Sequence, residues 1–294
     1  MEFKTQILCF HRVSDEFSPA YPPIPVKVFE KILSFINRNY VVIPIEEIDK
    51  RNTSGKPRLI ITFDDAYYDF YENALPLLNK YKFPALQHVI THSAETGESF
   101  WTQRLNKMIE ACFFEKRELV IPELQISRKL NNAKEVEKTA LEVYLLLLDK
   151  MDREGILKKI EESIKDHVAY TRMMGWKELN ECTKYGISIG SHTHNHATLS
   201  KMNDAELKFE LEHSRKLILG NVHSSECMSL AFPNGKYNDE VITVATNAGY
   251  QYFLSTEHAK FSGKNPPLVL PRYCIYNKEW WKNYLKFTLY RYYI

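Results

Sequence analysis

The pattern that most constrains this chain is an alternation. Short apolar runs rich in β-branched residues fall at Gln6–His11, Val41–Pro44, Leu59–Phe63, Leu86–Thr91, Gly186–Ser191, Met228–Phe232, Tyr252–Ser255 and Leu268–Tyr276, with helical spacing between most of them. Asn203–Leu219 illustrates the helical spacing: Asn203 serves as N-cap, Glu206 follows three residues on, Leu207 and Leu211 share a face, and Gly220 closes the end. Strands alternating with helices build βα units and a largely parallel sheet. The predicted fold class is therefore α/β, a barrel whose chemistry sits at the C-terminal ends of its strands.

The alternation breaks from about Glu98 to Arg172, where Glu118–Ile121 is the only strand-like run and Ala140–Ile164 reads as helix. At 294 residues the chain has the length of about two domains. The pattern instead predicts one barrel domain over 1–294, with a helical insertion at about 98–172 and an aromatic C-terminal helix at about 277–294. Lys+Arg 39 against Asp+Glu 37 leaves a formal charge of +2, so no whole-chain field selects nucleic acid. Five scattered cysteines without a CxxC motif predict reduced thiols rather than a disulfide framework or a Cys-based zinc site. The N-terminus has neither a charged leader with a long apolar stretch nor a small-residue cleavage site, and no apolar run reaches the ~18 residues needed to span a bilayer. The expected location is cytoplasmic. The aromatic and basic segment Trp280–Ile294 offers a peripheral contact with the inner membrane surface, or a final helix packed on the barrel.

Two clusters carry chemistry. Ile60-Ile61-Thr62-Phe63-Asp64-Asp65 is a buried strand ending in adjacent carboxylates, which leave the strand in different directions. Taken alone, such a pair reads better as a loop pair capping the next helix. Gly190-Ser191-His192-Thr193-His194-Asn195-His196 follows another strand and holds three histidines within five residues. His192 and His196 suit one divalent ion, with a carboxylate as third ligand. His194 reads as a surface or supporting residue, and His88, His92, His167, His213, His223 and His258 receive no metal role.

The pair Thr62–Asp65 (TFDD) and His192–His196 (HTxxH) resembles the polysaccharide deacetylases of carbohydrate esterase family four, the NodB-homology domain. Ala231-Phe232-Pro233-Asn234-Gly235 resembles that family's RxPxG loop, and Leu270-Pro271-Arg272 its late LPR. Together these motifs are highly specific, and the similarity runs from about Ile7 to Tyr276. The resemblance implies a distorted (β/α)7–8 barrel and a metal-dependent hydrolase acting on an N-acetylated sugar, glycan or lipid-linked glycan. It implies Asp65, His192 and His196 as ligands of one divalent ion, zinc by preference, and Asp64 as the general base that deprotonates the attacking water. The Asn234 backbone N–H would help hold the oxyanion, in a loop shaped by Pro233 and Gly235.

The departures are informative. Ala231 stands where many members carry an arginine, and no LxH motif follows late in the chain. Arg272 is the candidate replacement for the guanidinium. His11, in an exopolysaccharide-type HRV start, is the candidate acid, because the first and last strands of a closed barrel are neighbours. Trp101, near the start of the insertion, either stacks on a sugar or packs the inserted helices. The alternative functions are an O-acetyl esterase or other C–N amide hydrolase, and a carbohydrate-binding pseudoenzyme.

Overall fold

The computed structural model describes residues 5–148, 150, 152–164, 168–223, 225–256, 269–276 and 278–290. The chain divides into two compact units: residues 1–14, 24–98 and 173–294, and residues 15–23 with 99–172.

The strands, in chain order, are β1 (Gln6–Phe10), β2 (Val41–Val42), β3 (Arg58–Phe63), β4 (Ala85–Val89), β5 (Glu118–Ile121), β6 (Ile126–Lys129), β7 (Ile187–Ser191), β8 (Ser229–Ala231), β9 (Tyr252–Ser255), β10 (Val269–Pro271) and β11 (Tyr273–Cys274). In the first unit the order is β10-β9-β8-β7-β4-β3-β1-β11, with β2 beside β3. Every pairing in this sheet is parallel. β10 and β11 are consecutive pieces of one segment. β10 pairs with β9, and β11 pairs with β1, placing Cys274 opposite Cys9. That segment spans the gap between the two sheet edges and brings the sheet nearly to closure as a barrel. Leu268, the first residue of the last expected strand, lies outside the described residues.

Period-2 alternation sorts the side chains. Leu59, Ile61 and Phe63 of β3 join Leu8 and Phe10 of β1 in the large cluster that includes Phe29, Ile32 and Ile36 of the Val26–Asn39 helix. Their neighbours Ile60 and Ile7 face the other way, with Leu86, Ala231, Leu254 and Leu270, in a second cluster that fills the barrel interior. Thr62, Asp64, Cys9 and Arg272 continue this inner face. Arg272 is 1% exposed, so a guanidinium is part of the interior.

The helix expected from Asn203 forms, and its N-terminus is closed as the spacing predicts: the Asn203 side chain accepts from the Glu206 N–H at 3.0 Å. Its C-terminal end differs, because the helix runs on to Asn221 and Gly220 lies inside the last turn. The final helix spans Trp280–Tyr290, and Trp280, Tyr284 and Phe287 surround the Phe35 ring at 5.5–6.0 Å. Trp281 is 58% exposed. Residues 291–294 of the segment expected to reach a membrane surface lie outside the described residues. No helix among the described residues is long and apolar enough to cross a membrane.

The second unit has its own core, built on the helices Trp101–Phe114, Ala133–Leu147 and Arg153–Ser163. β5 pairs antiparallel with β6, a strand that the sequence pattern did not single out. Residues 15–23 also belong to this unit. The buried Glu110 carboxylate accepts from Ser18 Oγ at 2.7 Å and from the Ala20 N–H at 3.1 Å, tying that segment to the Trp101–Phe114 helix.

Candidate active site

The expected site residues follow strand ends. His11 leaves β1, Asp64 and Asp65 leave β3, and His192–His196 leave β7. Asn234 follows β8, and Arg272 follows β10. Several take backbone conformations that non-glycine residues rarely adopt: φ is +72° at Asp65, +67° at Thr193, +54° at His196 and +58° at Asn234. Each such residue costs on the order of 1–3 kcal/mol and persists only where its surroundings fix it. At Asp65 the turn has a geometric effect: adjacent carboxylates end up with different partners.

Asp64 faces Arg272. The two terminal guanidinium nitrogens donate to the two carboxylate oxygens, each at 2.7 Å. His88 Nδ1 lies 3.0 Å from Asp64 Oδ1, and the Cys9 thiol lies 3.4 Å from Oδ2. Burial alone would raise the Asp64 pKa. The Arg272 and His192 neighbours and the hydrogen bonds from His88 and Arg272 outweigh it and hold this carboxyl well below the usual range.

Asp65 faces the histidines. Its Oδ1 is 3.4 Å from His192 Nε2 and 3.7 Å from His196 Nε2. Burial, and then the charge of Asp64, push its pKa well above the ordinary value. His192 Nδ1 lies 2.8 Å from the Ala231 carbonyl, which only accepts, so Nδ1 carries the proton and Nε2 presents its lone pair. Burial lowers the His192 pKa to about 4, so the ring is neutral at pH 7.

These three groups fit a divalent cation. Each offers one ligand atom, and the three atoms lie within 4.8 Å of one another. Asp65 Oδ1 is buried and has no hydrogen-bond donor. Two imidazoles facing an orphaned carboxylate oxygen form an open donor set of the kind zinc and related ions take.

His11 lies beside Asp64. Its ring stacks on Tyr276 at 5.2 Å, and one of its nitrogens is within 4.8 Å of an Asp64 oxygen. Burial lowers its pKa to about 4, against the pull of Asp64. Asn234 occupies a 3-10 turn between Pro233 and Gly235. Gly235, at φ +68°, has no room for a Cβ, which would meet Thr256 Oγ1 and sit 3.0 Å from its backbone nitrogen. Trp101 belongs to the second unit. It is 3% exposed in the second unit's core, with its ring stacked on Tyr144 at 5.5 Å and the Arg153 guanidinium 4.2 Å from the ring centroid. Of the two readings of Trp101, the structure fits the second: its ring packs the inserted helices.

Two residues around Asp64 were not anticipated. His88 was given no metal role and Cys9 was read only as a reduced thiol, yet both contact the carboxylate. The available signal was a histidine inside the apolar β4 run, two residues from Leu86 and so on the same face.

A family model described as polysaccharide deacetylase matches residues 51–253. The chain is 22% identical over 259 residues to YxkH of Bacillus subtilis, covering 86% of this chain and 65% of that one. It is 24% identical over 235 residues to the poly-β-1,6-N-acetyl-D-glucosamine N-deacetylase of Staphylococcus aureus, covering 77% and 57%. The chain thus spans less than two thirds of the length of these relatives. Among solved structures, its fold matches a Streptococcus pyogenes deacetylase in complex with acetate (TM-score 0.66, 19% identity, 97% of this chain and 98% of that one). It also matches IcaB from Ammonifex degensii (TM-score 0.61, 14% identity, 96% and 95%). The parallel barrel, the two motif clusters at its strand ends and a family match from Arg51 to Phe253 agree: the chain belongs to the polysaccharide deacetylase family.

Proposed function

We propose that this protein is a hydrolase that removes the acetyl group from an N-acetylated sugar or glycan with the help of one divalent ion, zinc by preference. One observation carries this reading: Asp65, His192 and His196 converge next to an Asp64 whose two oxygens are gripped by Arg272. The Staphylococcus aureus relative, by its name an N-deacetylase of poly-N-acetylglucosamine, supports an N-acetylated substrate.

Asp65, His192 and His196 would hold the ion, which when bound polarises the acetyl carbonyl and makes water easier to deprotonate. Asp64, kept ionised and aimed by Arg272, takes the proton of the attacking water. The Asn234 N–H, in its left-handed turn, helps to hold the oxyanion. His11 is neutral at rest, so it protonates the departing amine only after gaining a proton. A gap of at most 4.8 Å separates its ring nitrogen from Asp64, a span that one bridging water can cross to carry that proton from the carboxylate.

Acetate release from N-acetylated and O-acetylated glycan oligomers tests the reading. Release from N-acetylated substrate supports it. Release from O-acetylated substrate alone marks an esterase, and glycan binding without release at full metal occupancy marks a binding module. Turnover by His11→Ala should fall by roughly 10²–10⁴-fold with metal retained; near-normal turnover removes His11 from the chemistry.

A further inference from the structure

A second donor cluster lies outside the Asp65 group. Glu95 comes from the Thr91–Thr96 helix, His194 from the turn after β7, and His213 from the Phe209–His213 stretch of the following helix. One ligand atom from each lies within 4.8 Å of the other two. We propose that Glu95, His194 and His213 form a second metal site, for zinc or a similar divalent transition ion.

Two imidazoles and one carboxylate match the ligand preferences of such ions and leave a position open for water. The support around the cluster is of the kind that orients metal-binding histidines. His194 is 8% exposed, and its Nδ1 lies 2.9 Å from Thr91 Oγ1, which leaves Nε2 as the ligand atom. The His194 backbone is fixed on both sides: its N–H donates to Glu210 at 2.8 Å, and its carbonyl accepts from the His92 N–H at 3.0 Å. Glu210 is itself no ligand candidate, because its oxygens already accept from the Asn195 N–H and Asn195 Nδ2. The His213 ring stacks on Phe209 at 4.8 Å and meets the His194 ring nearly edge-on at 4.7 Å.

The turn Ser191–His196 therefore works on two sides. His192 and His196 turn to Asp65, and the intervening His194 turns to Glu95 and His213. An ion in the second cluster braces the same turn that presents the first pair.

The test is metal stoichiometry after equilibrium dialysis of the full chain against micromolar zinc, with cobalt absorption spectra as a second readout. The comparison is between Asp65→Asn alone and Asp65→Asn combined with His213→Ala or with the exposed Glu95→Gln. In the Asp65→Asn protein one equivalent should remain, with a cobalt spectrum of a nitrogen and oxygen ligand set. His213→Ala should remove it, and Glu95→Gln should weaken it by at least about tenfold. Melting temperatures in chelator, expected to be unchanged by either substitution, separate metal loss from misfolding. An Asp65→Asn protein that retains no ion, or one whose retained ion is indifferent to both substitutions, overturns the proposal. Neither result touches the deacetylase reading, because Glu95 and His213 take no part in it.

Discussion

Arg272 donates from both terminal nitrogens to the two oxygens of Asp64, each at 2.7 Å, although 208 positions separate the two residues in sequence. Arg272 lies between β10 and β11, in the segment that bridges the sheet edges. Barrel closure and positioning of the candidate base therefore depend on the same few residues. Ala231 is fully buried on the same inner face, so the guanidinium that grips Asp64 comes from Arg272 and not from that position.

Arg272→Ala leaves a buried carboxylate without its fork, and should destabilise the fold by about 3–5 kcal/mol in denaturant unfolding. Arg272→Lys keeps the charge but loses the bidentate geometry. It should regain part of the stability, with turnover still lower by about a hundredfold. Equal turnover in Arg272→Lys and wild type would show that the fork is dispensable.

Metal removal should be visible in stability. Burial and Asp64 make the ionised Asp65 costly in the metal-free site, and a cation offsets that cost. In a His213→Ala background, where only the Asp65 group responds, a chelator should lower the melting temperature and added zinc should restore it. Adding Asp65→Asn should abolish the response. The competing proton sits on Asp65, whose pKa is raised, so zinc affinity should weaken on acidification before the His192 ring protonates near pH 4.

Acid should unfold the metal-free protein partly through two imidazoles. Burial lowers His11 and His192 from 6.5 to about 4. Between those values the unfolded chain binds protons that the folded chain refuses, so stability falls as pH drops from about 6.5 to about 4 and the loss is complete below that range. Each ring should contribute a loss on the order of 3 kcal/mol. Unfolding free energies measured across this window should show a shallower slope for His11→Gln, and identical slopes would exclude a buried neutral His11.

Gly190 of β7 sits opposite His88 of β4. A Cβ there would meet Ser229 Oγ, approach His88 Cδ2 to 2.8 Å and lie 3.0 Å from the Ser229 carbonyl oxygen. Gly190→Ala should cost about 1–3 kcal/mol by overpacking and lower turnover by displacing His88 from Asp64. Unchanged melting temperature and kcat would mean that the strands absorb the methyl group freely.

Much of this molecule was legible in the order of its residues. The alternation of short β-branched runs with helical spacing dictated βα units, and the two-residue period within β3 dictated which side chains entered the barrel. The Asp64-Asp65 pair and the His192–His196 turn were visible because metal-binding groups cluster locally at strand ends. Other features depended on which strands lie side by side, which no local period encodes. His11 reaches Asp64 because β1 pairs with β3, and Arg272 reaches it because the β10–β11 segment closes onto β1. His88 joins them through an adjacent strand. Trp101 is buried because its aromatic and cationic partners, Tyr144 and Arg153, arrive from later helices. The different direction taken by His194 was likewise fixed by packing, since a three-histidine run gives the same sequence signal whether its side chains share one ion or face two.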